Sequence, residues 1–122
     1  MINDTNGHQA GDTALRTCVD VVRACIRKSD VLIRYGGDEF LLVLPGIERA
    51  AFLAKLDRIR EHLHTASVPG YSRLHLSASI GGVITQPGET VEQAVSRADK
   101  LMYQAKNRKN MVVTEDTPGT AL

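Results

Sequence analysis

Two strand-like runs flank a Gly-Gly pair, and this feature restricts the fold more than any other. Val31-Leu32-Ile33-Arg34-Tyr35 precedes Gly36-Gly37-Asp38, and Glu39-Phe40-Leu41-Leu42-Val43-Leu44 follows it. Branched and aromatic residues favour extended backbone, and adjacent glycines accept the positive φ angles of a tight turn. The segment therefore reads as a β-hairpin. Its second strand is almost wholly apolar, which predicts cover on both faces. Pro45-Gly46 ends it.

A hairpin needs something to pack against, and the remaining sequence supplies it. Residues 1–11 are rich in Asn, Asp, Gly and Thr and read as a loop. From Asp12 to Lys28, the residues Leu15, Cys18, Val19, Val22, Cys25 and Ile26 recur at helical spacing, with Asp12 as the expected N-cap. A second helix is predicted from Glu48 to Thr65, with Phe52, Leu56, Ile59 and Leu63 on one face. Leu74 to Ile84 reads as a strand, and Leu74, Leu76, Ala78 and Ile80 share one side of it. Gly81-Gly82 marks a bulge or a close backbone approach. A capping box, Thr90-Val91-Glu92-Gln93, opens a third helix. Its apolar stripe is Val91, Ala94, Val95, Ala98, Leu101, Met102 and Ala105. Met111-Val112-Val113 is a short last strand, and residues 114–122 read as a disordered tail. The order α-β-β-α-β-α-β predicts one α+β domain over residues 1–113, an α/β sandwich of helices on a mostly antiparallel sheet.

Bulk properties narrow the function classes. The chain is 43% hydrophobic and 24% charged, as an ordinary globular domain is. A formal net charge of +1 argues against general attraction to nucleic acid or to a membrane surface. No apolar run approaches the roughly 18 residues of a membrane span. The polar N-terminus lacks the pattern of a signal peptide, which predicts a cytoplasmic segment. Cys18 and Cys25 lie two helical turns apart, about 10 Å along an axis. A disulfide needs Cα atoms within roughly 7 Å, so the two are expected to be free thiols on one helix face. His8, His62, His64 and His75 fall on different elements or faces and form no metal set.

The chemistry concentrates at the hairpin. Glycines let backbone N–H groups approach a ligand closely. Asp38 and Glu39 follow at once, and neighbouring carboxylates suit a hard cation that brings phosphates with it. Turn chemistry alone favours an exposed turn with two solvated acids. The whole string Arg34-Tyr35-Gly36-Gly37-Asp38-Glu39-Phe40 between two strands is more specific, and it resembles the signature of the GGDEF diguanylate cyclase family.

The resemblance extends in both directions. Asn3-Asp4-Thr5-Asn6-Gly7-His8-Gln9-Ala10-Gly11-Asp12 is similar to a family segment whose Asn and later Asp recognise guanine, which assigns Asn3 and Asp12. An amide can serve donor and acceptor atoms of a base edge, and a carboxylate accepts from guanine N–H groups. Arg27-Lys28-Ser29-Asp30 resembles the RxxD inhibitory site that binds the product, cyclic di-GMP, and Arg58 matches a position that adds a second arginine there. Read locally, the same four residues are a solvated helix end. Leu76-Ser77-Ala78-Ser79-Ile80-Gly81 resembles a structural strand of the family. Ala98-Asp99-Lys100-Leu101-Met102-Tyr103-Gln104-Ala105-Lys106 resembles a helix whose last lysine holds phosphate, here Lys106. Beyond it the family carries a further phosphate-binding arginine after a glycine. This chain lacks that glycine, and either Arg108 or Lys109 stands in the place.

The resemblance implies a nucleotidyl-cyclase palm, a ferredoxin-like sheet with helices, and a reaction that condenses two GTP molecules into cyclic di-GMP and pyrophosphate. It implies Mg²⁺ (or Mn²⁺) at Asp38, with Glu39 as the second acid beside it, and phosphate contacts at Gly36, Gly37 and Lys106. A homodimer would hold one GTP per subunit. In the family a further strand, carrying one metal-binding acid and a phosphate-binding lysine, comes before the segment matched by Ile2-Asn3-Asp4. Met1 therefore reads as an internal position of a longer cyclase, whose upstream segments would carry any membrane anchor. Without that strand the sheet is expected to show open edges and uncovered apolar surface. The alternative is an inactive fragment or a receptor for cyclic di-GMP or GTP acting through the RxxD site.

Overall fold

The computed structural model describes residues 5–36, 39–108, 110–115 and 117, with residues 5–8 described by backbone alone. In chain order they form α1 (Thr5–Cys25), β1 (Val31–Gly36), β2 (Glu39–Val43), α2 (Arg49–Thr65), β3 (Ser79–Gly82), α3 (Val91–Arg108) and β4 (Met111–Thr114). The order and the α+β class agree with the sequence reading.

Helix α2 supplies the middle of one of two core clusters. Its buried stripe is the expected one, Phe52, Leu56, Ile59 and Leu63. Ile59 and Leu63 join Cys25 of α1 and Val68 and Leu76 of the following segment in one core cluster, with Leu42 of the hairpin packed against it. A second cluster, Leu101, Ala105 and Val113, fastens α3 to β4. The capping box forms as predicted. The Thr90 N–H donates to Gln93 Oε1 at 3.0 Å, and the Gln93 N–H donates to Thr90 Oγ1 at 3.1 Å. Both cysteines are free, and burial pushes the Cys18 thiol up.

Several expectations need correction. Helix α1 already includes Thr5, so Asp12 is an exposed interior residue and caps nothing. Gly7 and Gly11 suggested a loop, but a glycine costs a helix only about 1 kcal/mol, and extending a helix already docked on α2 gains a hydrogen bond per residue. The same helix stops at Cys25 instead of reaching Lys28, because Arg27 to Asp30 form a turn of their own. Val91 is not part of the buried stripe of α3; it lies at the start of the helix, 72% exposed.

The sheet is not mostly antiparallel. β1 and β2 pair antiparallel, β3 and β4 pair parallel, and among the described residues the two ladders are separate. The long helix α3 between β3 and β4 returns the chain to run the same way, as a crossover does. β3 is also shorter than the run from Leu74 to Ile84. Leu74, Leu76 and Ala78 do face the core while His75 and Ser77 face solvent. That alternation comes from packing on α1 and α2, since the ladder with β4 begins only at Ser79, opposite Met111.

The Gly81-Gly82 pair is a close approach. A Cβ on Gly81 would collide with the backbone of Ala98 and Met102 in α3, and one on Gly82 would meet Leu56 and Phe52. Neither face of β2 is fully covered, contrary to expectation. Val31, Ile33, Tyr35 and Val43 leave an apolar outer face on the hairpin that is 41–65% exposed. The expected open edges are also present: among the described residues, β1 and β2 pair only with each other.

At the far end, Arg97 of α3 forms a clasp that sequence reading missed. Its Nε and Nη2 donate to both carboxylate oxygens of Glu89 at 2.6 and 2.8 Å, and Nη2 also donates to the Ile84 carbonyl at 3.0 Å. Its Nη1 binds Glu115. This pairing holds the Glu89 carboxyl at about 2, well below its usual range. β4 runs one residue beyond the expected Val113, and the Thr114 N–H donates to Thr117 Oγ1 at 2.9 Å.

Candidate functional site

The hairpin places its chemistry at one tip. Gly36 stands opposite Glu39, and Arg34 stands opposite Phe40, so Tyr35 is an extra residue in β1. Such a bulge sharpens the local twist and re-aims the end of the ladder. Glu39 opens β2 and is half-buried. Asn3, Gly37 and Asp38 lie outside the described residues, so their predicted roles have no geometry here.

The inner face of the hairpin forms one wall of a groove of about 370 Å³. Leu32, Arg34 and Phe40 face Leu15, Arg16, Val19, Asp20 and Arg23 of α1 across it. The floor is apolar and three arginines stand on its walls, a combination that suits a flat base with attached phosphates. Asp12 sits one turn before Arg16 on the same side of α1, in line with the groove. Sequence reading gave Arg16, Arg23 and Arg34 no role. The signal was present for two of them: Arg16 and Arg23 recur at helical spacing beside Leu15 and Val19.

The Arg27–Asp30 pair is a closed unit. The Arg27 N–H donates to Asp30 Oδ2 at 2.7 Å, and the Asp30 N–H donates to the Arg27 carbonyl at 3.1 Å. The Arg27 guanidinium returns over the turn, with Nη2 donating to Asp30 Oδ1 at 2.8 Å and to the Pro45 carbonyl at 2.8 Å. The Asp30 side chain is fully buried, while that of Arg27 is 47% exposed. The turn is therefore not the solvated helix end that local reading suggested. The Arg27 guanidinium, helped by its backbone N–H, holds the Asp30 carboxyl at about 2 against the opposing effect of burial. Lys55 of α2 approaches the same carboxylate, with Nζ 3.5 Å from Oδ2. Arg58 is exposed one turn further along α2, on the side of Lys55.

Lys106 is exposed on the last turn of α3 and does not line the groove. Arg108 lies nearby, with Nη1 4.0 Å from the Met111 sulfur. Among the described residues no three acidic, histidine or cysteine side chains gather as a metal cage. The donors that remain, Glu39 and its neighbour Asp38, are hard oxygen ligands, and their type fits a cation that keeps much of its water.

The family described as "Diguanylate cyclase, GGDEF domain" matches residues 1–111. The chain belongs to the GGDEF-domain family. Among characterised relatives, it is 35% identical over 114 residues to Diguanylate cyclase A of Treponema denticola, covering 91% of this chain and 31% of that protein. It is 38% identical over 117 residues to Response regulator PleD of Caulobacter vibrioides, covering 92% of this chain and 26% of that one. The chain thus spans less than a third of either relative. Diguanylate cyclase SiaD of Pseudomonas aeruginosa, solved with its activator SiaC, superposes with a TM-score of 0.83 at 35% identity, over 93% of this chain and 44% of SiaD. The GGDEF domain of DgcB from Caulobacter crescentus, solved in complex with c-di-GMP, gives 0.80 at 28% identity, over 94% of this chain and 70% of that one. These GGDEF structures share the fold that carries the hairpin and the α1 groove here. No helix of the described residues is long and apolar enough to cross a membrane.

Proposed function

We propose that this GGDEF domain is a diguanylate cyclase domain that condenses two GTP molecules into cyclic di-GMP with release of two pyrophosphates. The observation that carries the reading is the Gly36-Gly37-Asp38-Glu39-Phe40 hairpin set beside an arginine-lined groove. Asn3 and Asp12 would recognise guanine through an amide and a carboxylate at the head of α1. Gly36 and Gly37 would let backbone N–H groups reach the phosphates, with Arg16, Arg23, Arg34 and Lys106 supplying positive charge. Asp38 and Glu39 would hold Mg²⁺ or Mn²⁺, which when bound would neutralise charge developing on the phosphates. Asp38 would be the metal ligand proper, and Glu39 a second acid near the metal or the attacking 3′-hydroxyl.

The chain's contribution is positioning and charge, as phosphoryl-type transfer requires. The reaction needs two nucleotides face to face, so two subunits would pair with a GTP on each. GTP is a cytoplasmic nucleotide, so the domain would act in the cytoplasm. Arg27, Asp30 and Arg58 would form an inhibitory product site, a reading supported by the c-di-GMP complex of the DgcB domain. Purified protein given Mg²⁺ and GTP should yield cyclic di-GMP on chromatography, and Glu39→Gln should reduce the yield at least about a hundredfold. Failure of the wild-type chain to form product, while cyclic di-GMP still binds, would replace the cyclase reading with a receptor.

A further inference from the structure

Cys25 and His62 bring two metal-ligating atoms together outside the groove and outside the Arg27–Asp30 turn. Cys25 is the last residue of α1 and is buried, while His62 is exposed on α2. The Cys25 Sγ and His62 Nδ1 atoms stand 3.6 Å apart. In the metal-free protein a thiol–imidazole hydrogen bond accounts for the contact. The same spacing is also a ligand bite. Zinc takes a thiolate sulfur at about 2.3 Å and an imidazole nitrogen at about 2.0 Å, and a tetrahedral angle between those bonds sets the two atoms about 3.5 Å apart. A cation could therefore enter with little change in their separation.

The surroundings favour a positive ion. α1 ends at Cys25, and the carbonyls in the last turn of a helix carry partial negative charge. Arg27 is turned away toward Asp30 and the Pro45 carbonyl. Arg58, one turn before His62, is exposed and its charge is screened by solvent. Magnesium is a poor fit, because it takes oxygen ligands. Thiolate and imidazole suit zinc and other thiophilic ions. Two protein ligands leave two positions to water on the exposed side of His62, which makes a reversible site and not a four-ligand structural one.

We propose that Cys25 and His62 form a reversible site for a thiophilic cation of the zinc type, joining the end of α1 to α2. Binding replaces the Cys25 S–H bond with a metal–sulfur bond and releases that proton to solvent, while the neutral His62 ring gives its Nδ1 lone pair to the metal. Titration of the purified, reduced protein with Cd²⁺ tests this, since a cadmium–thiolate bond brings a charge-transfer band in the ultraviolet that no carboxylate or imidazole site produces. The band should appear and saturate, and Zn²⁺ should displace it. His62→Ala, at an exposed position, should weaken the affinity read from the band at least about tenfold, the least that losing even an outer-shell partner of a metal costs. Cys25→Ser should abolish the band and Cys18→Ser should leave it intact. If Cys25→Ser fails to fold, His62→Ala and Cys18→Ser still decide the matter. No band in the wild type would leave a hydrogen bond only and overturn the proposal. Wild-type affinity in His62→Ala, a band lost in Cys18→Ser, or a band that Zn²⁺ cannot displace would overturn it as well.

Discussion

At the scale of single residues, two carboxylates whose pKa values fall on folding do structural work. Asp30 and Glu89 are both held at about 2 by arginines, Arg27 and Arg97. In the unfolded chain each would titrate near 4. A carboxylate depressed by folding contributes stability above its unfolded pKa, and that stability is lost as pH falls toward the folded value. Melting temperature should therefore drop steeply between about pH 4 and pH 2. Asp30→Asn should lower it at pH 7 and flatten the acid limb, and parallel curves for variant and wild type would refute this assignment. RxxD was visible in the sequence as a motif, yet its local geometry was not. Nothing in four residues says that Asp30 will be enclosed, because Lys55 reaches its carboxylate from α2 and the Pro45 carbonyl holds the Arg27 guanidinium over the turn. The Arg97 clasp was hidden for the same reason, since its partners Glu89 and Glu115 come from either side of α3.

At the scale of elements, the legible parts are those that a local rule decides. The α2 stripe, the capping box of α3 and the hairpin follow from periodicity, from two side chains three residues apart, and from turn residues. The start of α1 and the length of β3 did not follow, because both depend on contacts that sequence spacing does not contain. The docking of β3 on α3 is one such contact. Gly81 lies against the backbone of Ala98 and Met102, and a helix backbone cannot move aside as a side chain can. Gly81→Ala should therefore cost at least about 3 kcal/mol, the upper range for overpacking, read as a lower denaturant midpoint. Gly82→Ala should cost less, since it meets the side chains of Leu56 and Phe52. A neutral Gly81→Ala would mean that the two elements pack less closely than described.

At the scale of the molecule, the two ladders and the two buried clusters divide the stability. One cluster unites α1, α2 and the segment through Leu76, while the other holds α3 to β4. The hairpin joins the first through Leu42 and leaves its outer face open. Hydrogen exchange should protect α2, α3 and β4 more than β1, whose outer edge has no strand beside it among the described residues. Equal protection of β1 amides would show the hairpin edge to be covered in solution. The family was legible because the hairpin string is local and specific. The arginine groove was not, because it arises only when α1 and the hairpin are laid side by side.

The Arg97 clasp has a mechanical consequence. Glu115 lies just past β4 and is tied to a residue of α3, so a pull applied to the chain beyond it does not peel β4 from β3 first. The load passes through one guanidinium into the body of α3 and into the loop at Ile84 and Glu89. Arg97 thus acts as a strain relief, shielding the parallel ladder from tension on the segment that follows it.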